Sequence, residues 1–464
     1  MNRRVHFQAK THRLPPDNKS ASRPVHEFPP PAAALSDADS AAPRSREEAE
    51  AAYEAQVWRD LPRNYAAHLV HGLLGQTGFR LVHAPTFVPA YIYLLSGSEI
   101  AVGLALAAQY LGAALSSVFG ATLIEHRKRV LPVGFVTGGL MRLQVLGLAL
   151  SGLFLSSDYA LAAATLFLGL FGFFNGMQAV MFNYLLSKVI PVARRGRLTG
   201  LRNFLAGITA SAVAYFGGSY FVETNALGNG YSATFLVAFA MTSAGLLMLL
   251  FVREPEPPVV RSQSKFASRL KELPAMLKAD PAYTKFFLAR ALSAFGTIAV
   301  PFYVLYAGQH IGLSGYIVGI LSIAFLLTQT ATNLAWGALA DRTGNRLVFI
   351  ASLALWIAAT LLLIEAKDIW LVSIAFGGLG AGFGGWQIAS QNLVLEFGAR
   401  EDLPMRIAVS NSATWAMMAA GPAFGGVLAS SGTFESVFAV AMACQTAALL
   451  LVFFFVDEPR RRRG

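Results

Sequence analysis

Charge is scarce in this chain. Charged residues make up only 14% of its 464 residues, whereas soluble domains average about 25%. Hydrophobic residues make up 55%, and the mean hydropathy is +0.51. One buried core cannot absorb so much apolar surface, so we expect lipid to surround most of the chain. A membrane-spanning helix needs roughly 20 apolar residues, and the sequence offers twelve such stretches.

Several other features are missing. Cys444 is the single cysteine and lies in an apolar stretch, which excludes a disulfide or a cysteine metal site within one chain. The first 30 residues contain no apolar core, so no cleavable signal peptide is predicted. The chain also lacks a His-Glu-x-x-His motif, a glycine–serine elbow and a phosphate loop. We therefore expect neither an enzyme nor a primary pump, and we expect no metal and no cofactor.

Acidic residues are absent from the middle of every predicted span. They occur only at span ends, as Glu99, Glu223, Glu365 and Glu435 at one face and Glu125 and Glu396 at the other. Intramembrane carboxylates commonly serve as proton relays in carriers. The proton remains a candidate coupling ion here, but the intramembrane carboxylate that usually binds it is absent.

Composition divides the chain into five parts. Residues 1–65 form a disordered tail that ends in a short surface helix, opened by a capping box at Ser45 and Glu48. Two halves of six spans, 66–252 and 284–456, flank a linker at 253–283 that contains an amphipathic helix, and 457–464 is a basic tail. The spans are placed at 66–95, 98–123, 131–155, 159–187, 198–222, 232–252, 285–308, 314–340, 347–364, 369–396, 405–430 and 435–456.

Basic residues concentrate in alternate links. The net charge of +11 is distributed over the even-to-odd links and not pooled in one patch, so no nucleic-acid partner is expected. These links carry Arg127, Lys128, Arg129, Arg194, Arg195, Arg197, Arg342, Arg346 and Arg400. By the positive-inside rule both termini are cytoplasmic. We expect a multi-pass protein of the plasma membrane, in bacteria the inner membrane.

The two halves share short motifs at a nearly constant offset. Val88-Pro89-x-Tyr91 returns as Val300-Pro301-x-Tyr303, and Gly176-x-Gln178-x4-Asn183 returns as Gly385-x-Gln387-x4-Asn392. Val102-Gly103 and Phe216-Gly217-Gly218 also recur, at 318–319 and 424–426. The order of the four pairs predicts a six-span unit repeated in parallel.

The link between spans 8 and 9 identifies the architecture. Residues 337–346 read Gly-Ala-Leu-Ala-Asp-Arg-Thr-Gly-Asn-Arg. This run resembles the loop signature of the major facilitator superfamily, G-x-L-A-D-R-x-G-x-R. The resemblance covers 66–456 and implies an all-α integral membrane protein of 12 transmembrane helices in two six-helix pseudo-symmetric halves. It also implies a substrate site between the halves and transport by alternating access.

The resemblance implies a cytoplasmic gate. In the family, the acid of this loop lies near a helix N-terminus of the opposite half, which would bring Asp341 to the basic start of span 5. Glu396 is the expected partner of Arg342 and Arg346. The first-half copy is degraded, with Lys128 at the place of the turn glycine, and its Glu125 would cap span 11 near Arg406. The predicted gate residues are Gly337, Asp341, Arg342, Gly344, Arg346, Glu396, Glu125, Arg197 and Arg406.

Polar residues within the spans are candidates for substrate contact. On span 1, His68 and His71 form one stripe, and Gln76, Arg80 and His83 a second about 120° away, so only one stripe is expected to face the cavity squarely. Arg80 either contacts substrate or pairs internally, and His71 and His83 are either titratable or structural. Arg290 either faces the cavity or extends to the cytoplasmic face, and Arg142 is expected to support packing.

The repeated amides divide in the same way. Residues five apart differ by about 140° on a helix. We therefore assign Gln178 and Gln387 to the cavity wall and Asn183 and Asn392 to interhelical hydrogen bonds, with the reverse assignment open. Gly172 and Gly176 are expected at a close helix contact. Trp386 is expected in an aromatic wall or in the core.

These features predict a monomeric secondary transporter of a small solute, whose positive cavity suits an anion. A multidrug or amphiphile efflux carrier of the same fold is the alternative, because Phe171, Phe173, Phe174 and Phe383 lie near the same region. A transporter-like membrane sensor is a third interpretation.

Overall fold

The chain is described from a computed structural model that covers residues 46–124, 127–257, 277–397 and 403–458. The predicted disordered tail, Ser45, Glu125, Arg400, most of the linker helix and the last arginines lie outside the described residues. Within the described ranges every regular element is helical, and no strand occurs.

Fourteen α-helices make up the twelve spans. They are α1 (Arg46–His83), α2 (Phe87–Ser96), α3 (Glu99–Ile124), α4 (Leu131–Phe154), α5 (Ser157–Val189), α6 (Val192–Phe216), α7 (Gly230–Met248), α8 (Pro281–Phe295), α9 (Tyr303–Ile311), α10 (Gly315–Thr343), α11 (Asn345–Glu365), α12 (Ile369–Val394), α13 (Leu403–Ser431) and α14 (Phe434–Phe455). Over the residues that the structure describes, ten spans, all except spans 1 and 11, are long and apolar enough to cross a bilayer.

Spans 1 and 7 are both interrupted. Span 1 consists of α1 and α2, which are separated at 84–86, and span 7 consists of α8 and α9, which are joined by a 3-10 segment at Gly296–Phe302. Pro89 and Pro301, the prolines of the repeated Val-Pro motif, lie just after the first break and inside the second. Proline lacks the N–H that a continuous helix needs, so it favours an interruption at each of these places. The repeated Val-Pro motif therefore coincides with a repeated interruption of the helix.

The surface helix and the first span are one helix. The sequence predicts a separate helix before residue 66, but α1 runs unbroken from Arg46 to His83. The segment after span 6 binds the N-terminal part of α1. Asn64 Nδ2 donates to Arg253 O, Asn64 Oδ1 accepts from Arg253 N, and the Arg253 side chain pairs with Asp60. These contacts attach the polar N-terminal turns of α1 to the helix bundle.

Glycine allows spans 2 and 4 to approach closely. A Cβ at Gly172 would lie 1.8 Å from Gln109 O, and one at Gly176 would lie 2.2 Å from Ser116 Oγ. These are the two glycines predicted to pack helices, and the structure places backbone or side-chain atoms of α3 against both.

The two halves meet at the end of the bundle away from the basic links. A Cβ at Gly218 would lie 2.4 Å from Gly319 N, and one at Gly426 would lie 2.7 Å from Glu99 O. Glu223 Oε2 accepts from Tyr316 N at 2.8 Å at the same end. These contacts close the bundle on this side.

Each half also ends in a carboxylate that caps another helix. Phe251-Val252-Arg253-Glu254-Pro255 after span 6 and Phe455-Val456-Asp457-Glu458-Pro459 after span 12 form a fifth repeat that the sequence analysis missed. Glu254 accepts from Val130 N and Leu131 N at the start of α4. Glu458 Oε2 accepts from Arg346 N at the start of α11. A negative charge at these N-termini satisfies open N–H groups and opposes the helix dipole.

The Glu254 cap is buried with a counter-charge. Its carboxylate pairs with Lys188 at the end of α5, and the two side chains are only 3% and 5% exposed. Glu256, two residues later, pairs with Arg129, but those side chains are 48% and 64% exposed. The chain therefore offers a buried and an exposed carboxylate of similar position for comparison.

We predict that Glu254→Gln lowers the free energy of unfolding by about 3–5 kcal/mol, because it leaves Lys188 buried without its charge partner. Glu256→Gln should change it by no more than about 1 kcal/mol. Unfolding of the purified protein in detergent, followed by circular dichroism, measures both values. Equal losses in the two variants would contradict the buried-pair explanation.

Candidate functional site

A central cavity of about 400 Å³ lies between the two halves. Span 1 contributes Gln76, Arg80 and His83, span 5 contributes Arg202 and Asn203, and spans 8, 10 and 11 form the opposite wall. Because the halves are closed against each other at the end away from the basic links, this cavity lies on the side of those links. Residues of both halves line it.

Two arginines give the cavity its charge. Arg80 Nη1 donates to Thr330 Oγ1 at 2.9 Å, and this hydrogen bond joins span 1 to span 8 across the halves. Gly207 makes room for Thr330, because a Cβ there would lie 2.0 Å from Thr330 Oγ1. Arg202 lies at the inner edge of the same wall. None of the described residues that line the cavity is acidic, so both cations lack a carboxylate partner.

Primary amides supply most of the remaining polar lining. They are Gln76, Asn203, Gln329, Asn333, Gln387 and Gln391. Buried carbonyl oxygens of Asn203 and Asn333 have no hydrogen-bond partner among the described residues. Such a wall can both donate and accept hydrogen bonds to a polar solute.

Aromatic rings complete the wall. Tyr110 and Trp415 lie with ring centroids 6.0 Å apart, one from each half, and Phe325 and Phe383 form a second pair at 6.0 Å. These rings give the cavity flat apolar surfaces beside its charged and amide groups.

A smaller side pocket of about 260 Å³ lies within the first half. His71, Arg142, Asn175 and Gln178 line it, and Gln76 and Arg202 border both this pocket and the central cavity. The two polar stripes of span 1 therefore face two neighbouring cavities. His68 lies outside both, fully buried beside Phe182, and neither ring nitrogen has a hydrogen-bond partner.

Sequence analysis missed five of the polar lining residues: Arg202, Asn203, Gln329, Asn333 and Gln391. The signal that intramembrane polar residues are functional applies to all of them. Gln329 and Asn333 in particular are four residues apart on span 8 and share one face.

Two of the repeated amides differ from their expected places. Asn183 lines the side pocket together with Gln178, and Asn392 is exposed on α12. No hydrogen bond between helices from either amide occurs among the described residues. Gln178 accepts from Thr137 Oγ1 at 3.0 Å, and Gln387 lies in the central cavity. Asn183 reaches the pocket despite its angular offset from Gln178 because the pocket extends along α5.

Arg290 and Trp386 lie in the packing of the second half. Arg290 donates to Ser410 Oγ at 2.5 Å and to Asn411 Oδ1 at 2.9 Å, and Trp386 Nε1 donates to Ser293 Oγ at 2.9 Å. Neither residue borders the central cavity. On α12 the cavity is lined instead by Phe383 and, one turn later, by Gln387. Arg142 donates to Thr242 O at 2.6 Å and to Gly138 O at 2.7 Å, so it ties helices together and also lines the side pocket.

The predicted gate is open in this structure. Asp341 and Arg197 are both exposed, and no ion pair joins Asp341 to a basic residue of span 5 within the described ranges. A Cβ at Gly337 would meet no atom within 4 Å, so this position is also open. The gate role of Asp341 belongs to the opposite conformation and stays a prediction.

The other gate residues have local partners. Arg346 Nη2 donates to Phe453 O at 2.6 Å, whereas Glu396 Oε1 accepts from Asn345 Nδ2 at 2.7 Å. Arg406 pairs with Asp280 at 2.6 Å. Among the described residues no ion pair joins Glu396 to Arg342 or Arg346, the two partners that were expected.

The fold and this arrangement agree with comparisons to known proteins. The model of the Major Facilitator Superfamily matches residues 73–304 and 286–464. The chain belongs to this superfamily. As expected for it, the twelve spans divide into two six-helix halves. Among the described residues no group of three or more His, Cys, Asp or Glu could hold a metal ion.

Curated relatives include the multidrug resistance protein MdtG of Salmonella choleraesuis, 29% identical over 168 residues. That alignment covers 35% of this chain and 41% of MdtG, so the chain spans about two fifths of the relatives it matches. MdtG of Salmonella typhi matches with the same identity and coverage.

Solved structures support the fold. A D-xylose–proton symporter superposes with a TM-score of 0.66 at 15% identity, covering 86% of this chain and 99% of that one. The nucleoside transporter NupG gives 0.65 at 13% identity, covering 84% and 99%. The xylose transporter XylE of E. coli gives 0.63 at 15% identity, covering 87% and 97%.

Arg202 depends on a glycine of span 1. A Cβ at Gly72 would lie 1.7 Å from Arg202 Cδ, so we predict that Gly72→Ala displaces this side chain and destabilises the protein by about 1–3 kcal/mol. Gly75→Ala is the matched control, because its nearest atom would be His71 Cε1 at 3.9 Å. It should leave stability unchanged or raise it by about 1 kcal/mol through helix propensity.

Thermal unfolding of both variants measures the difference. Adding Arg202→Ala to Gly72→Ala should recover most of the loss, since the clash is then gone. A Gly72→Ala protein as stable as Gly75→Ala would contradict the contact.

Proposed function

We propose that the chain is a secondary active transporter that moves a small anionic solute by alternating access. The observation that carries the proposal is a cavity between the halves with two guanidinium groups and no carboxylate among its described lining residues. Uncompensated cations within a membrane are costly. An anionic substrate would supply the missing charge. The comparisons with transporters of the superfamily support the general activity, and neither they nor the sequence motifs suggest an enzyme.

Arg80 would couple substrate to conformation. Its guanidinium now bonds Thr330 of the other half. A carboxylate forms stronger, bidentate hydrogen bonds with arginine than a hydroxyl does. A bound anion would therefore take Arg80 from Thr330 and change a contact on which the relative position of the halves depends.

The membrane setting follows from the basic links. With these links cytoplasmic, both termini lie in the cytoplasm, and the present conformation opens inward. We place the protein in the bacterial inner membrane as a monomer, with lipid and a small solute as its partners. A proton is the candidate coupling ion, and His83 is the histidine that borders the central cavity.

Multidrug efflux is the second candidate function. The Tyr110–Trp415 and Phe325–Phe383 pairs offer aromatic surfaces suited to amphiphiles, and the Salmonella relatives are named for multidrug resistance. The absence of acidic lining residues argues against cationic drugs, because a cation would face Arg80 and Arg202. A sensor role has no structural observation in its favour.

We predict that Arg80→Gln reduces transport of an anionic substrate by about 10- to 100-fold in kcat/KM, because a hydrogen bond to a charged group contributes about 1.5–3 kcal/mol. Proteoliposomes would be assayed with labelled mono- and dicarboxylates, xylose and ethidium. Arg59→Gln, at an exposed arginine of α1 outside the cavity and the gate, is the control. Ethidium transport without any carboxylate transport would favour the efflux function instead.

We predict that Asp341→Asn shifts the conformational equilibrium toward the state seen here by about two- to fivefold, since one carboxylate at a helix N-terminus contributes about 0.3–1 kcal/mol. The assay is alkylation of Gln391→Cys in the cavity, in a Cys444→Ser background, from the side of the basic links. Asp158→Asn, an exposed aspartate at the opposite end, should leave the labelling rate unchanged. The same rate in both variants would remove the gate role.

A further inference from the structure

The side pocket contains Arg142, a cation that the proposed transport path does not use, and it shares Arg202 with the central cavity. It lies within the first half, between spans 1, 3, 4 and 5, and has a volume of about 260 Å³. One water occupies about 30 Å³ of liquid volume, so the pocket has room for a small organic molecule. Arg142 and Arg202 both line it, and no described lining residue is acidic.

Arg202 is a buried cation that makes no hydrogen bond to a described residue. Its side chain is 7% exposed, and Nε has no partner among the described residues. The guanidinium carbon lies 4.9 Å from the ring centroid of Phe182, so one face is covered and the N–H edge remains for a ligand. The stem packs over Gly72, where no side chain could be accommodated without displacing it. Its position is therefore fixed by both neighbours.

Arg142 has a similar setting. Phe79 covers its guanidinium at 5.2 Å, and Nε and Nη1 donate to backbone carbonyls of Thr242 and Gly138. These neutral acceptors leave its positive charge uncompensated. Two such cations at one pocket inside a bilayer are stable only if something offsets their charge.

Amide groups complete the site. Gln178 binds Thr137 through its carbonyl oxygen, which leaves its Nε2 donor available, and Asn175 lines the same wall without a hydrogen bond to a described residue. His71 Nδ1 lies 2.9 Å from Gly245 O, so this nitrogen carries the proton and anchors the ring. Hydrogen-bond donors of Arg142 on α4, of the two amides on α5 and of Arg202 on α6 thus converge on one pocket.

We propose that the side pocket is a second anion site that binds a small carboxylate. Planar guanidinium groups match a carboxylate in a bidentate arrangement, and the amides of Asn175 and Gln178 provide further donors. Arg202 borders both cavities, so occupation of this pocket lowers the positive charge that faces the central one. The site does not require that the central cavity itself takes an anion.

Acetate is the probe for the test. In purified Arg80→Gln protein, which lacks the proposed central contact, sodium acetate should raise the midpoint of thermal unfolding along a saturating curve. Sodium chloride at equal ionic strength should not. Ala179→Phe fills the side pocket, since Ala179 lines only this one, and should abolish the acetate effect.

Matched variants make the result specific. Arg202→Gln should raise the apparent Kd for acetate at least tenfold, and Asn175→Leu should weaken binding if Ala179→Phe does not fold. Ile388→Phe, which narrows the central cavity, should leave the acetate curve unchanged. An equal response to chloride, no response at all as for a water-filled pocket, or a response that survives both Ala179→Phe and Arg202→Gln would overturn the proposal. Failure of anion transport through the central cavity would not affect this test.

Discussion

Buried arginine without buried acid is the constraint on which this structure depends. Arg80, Arg142, Arg202 and Arg290 all lie within spans, and the middle of the membrane offers no carboxylate to any of them. Each must be satisfied by hydroxyl, amide or carbonyl oxygen, or by an aromatic ring. The four arginines differ in how many such partners they have. Those with several partners hold helices together, whereas those with few are available to a ligand.

Two arginines at nearly corresponding places in spans 1 and 7 illustrate the difference. Arg290 of span 7 reaches Ser410 and Asn411 within its own half, so its charge is used to hold spans together. Arg80 of span 1 has a single described hydrogen bond, and this crosses to Thr330 in the other half. The cation of span 7 makes structural contacts, whereas the cation of span 1 lines a cavity. The cations of the central cavity therefore come from the first half, and the second half supplies most of its amides.

The sequence predicts the architecture well and the side-chain geometry poorly. Span number and the two-half division depend on hydropathy and on repeated motifs, which can be read directly along the chain. The breaks of spans 1 and 7 near the Val-Pro motifs were not predicted. The cavity position of Arg80 follows from its place on span 1. The sequence leaves Arg290 between the cavity and the cytoplasmic face, and Trp386 between an aromatic wall and the core. Their partners Ser410 and Ser293, which come from other helices, place both in the packing of the second half. Helical periodicity describes one helix and does not contain that information. Arg202 is missed for the same reason, because its role depends on the space above Gly72 of another span.

The degraded loop of the first half has a physical explanation in the two carboxylate caps. Gly344 adopts φ +90, and Glu458 approaches so closely that a Cβ there would lie 2.2 Å from its Cδ. Glycine is thus required both for the backbone conformation and for the space. At the corresponding link of the first half, Lys188 donates to Lys128 O and pairs with Glu254. Lys128 does not adopt a positive φ, and the ammonium group of Lys188 holds Glu254, so a turn glycine is not required there. The loop signature survives where close approach of the cap demands it and is lost where a buried ion pair holds the cap instead.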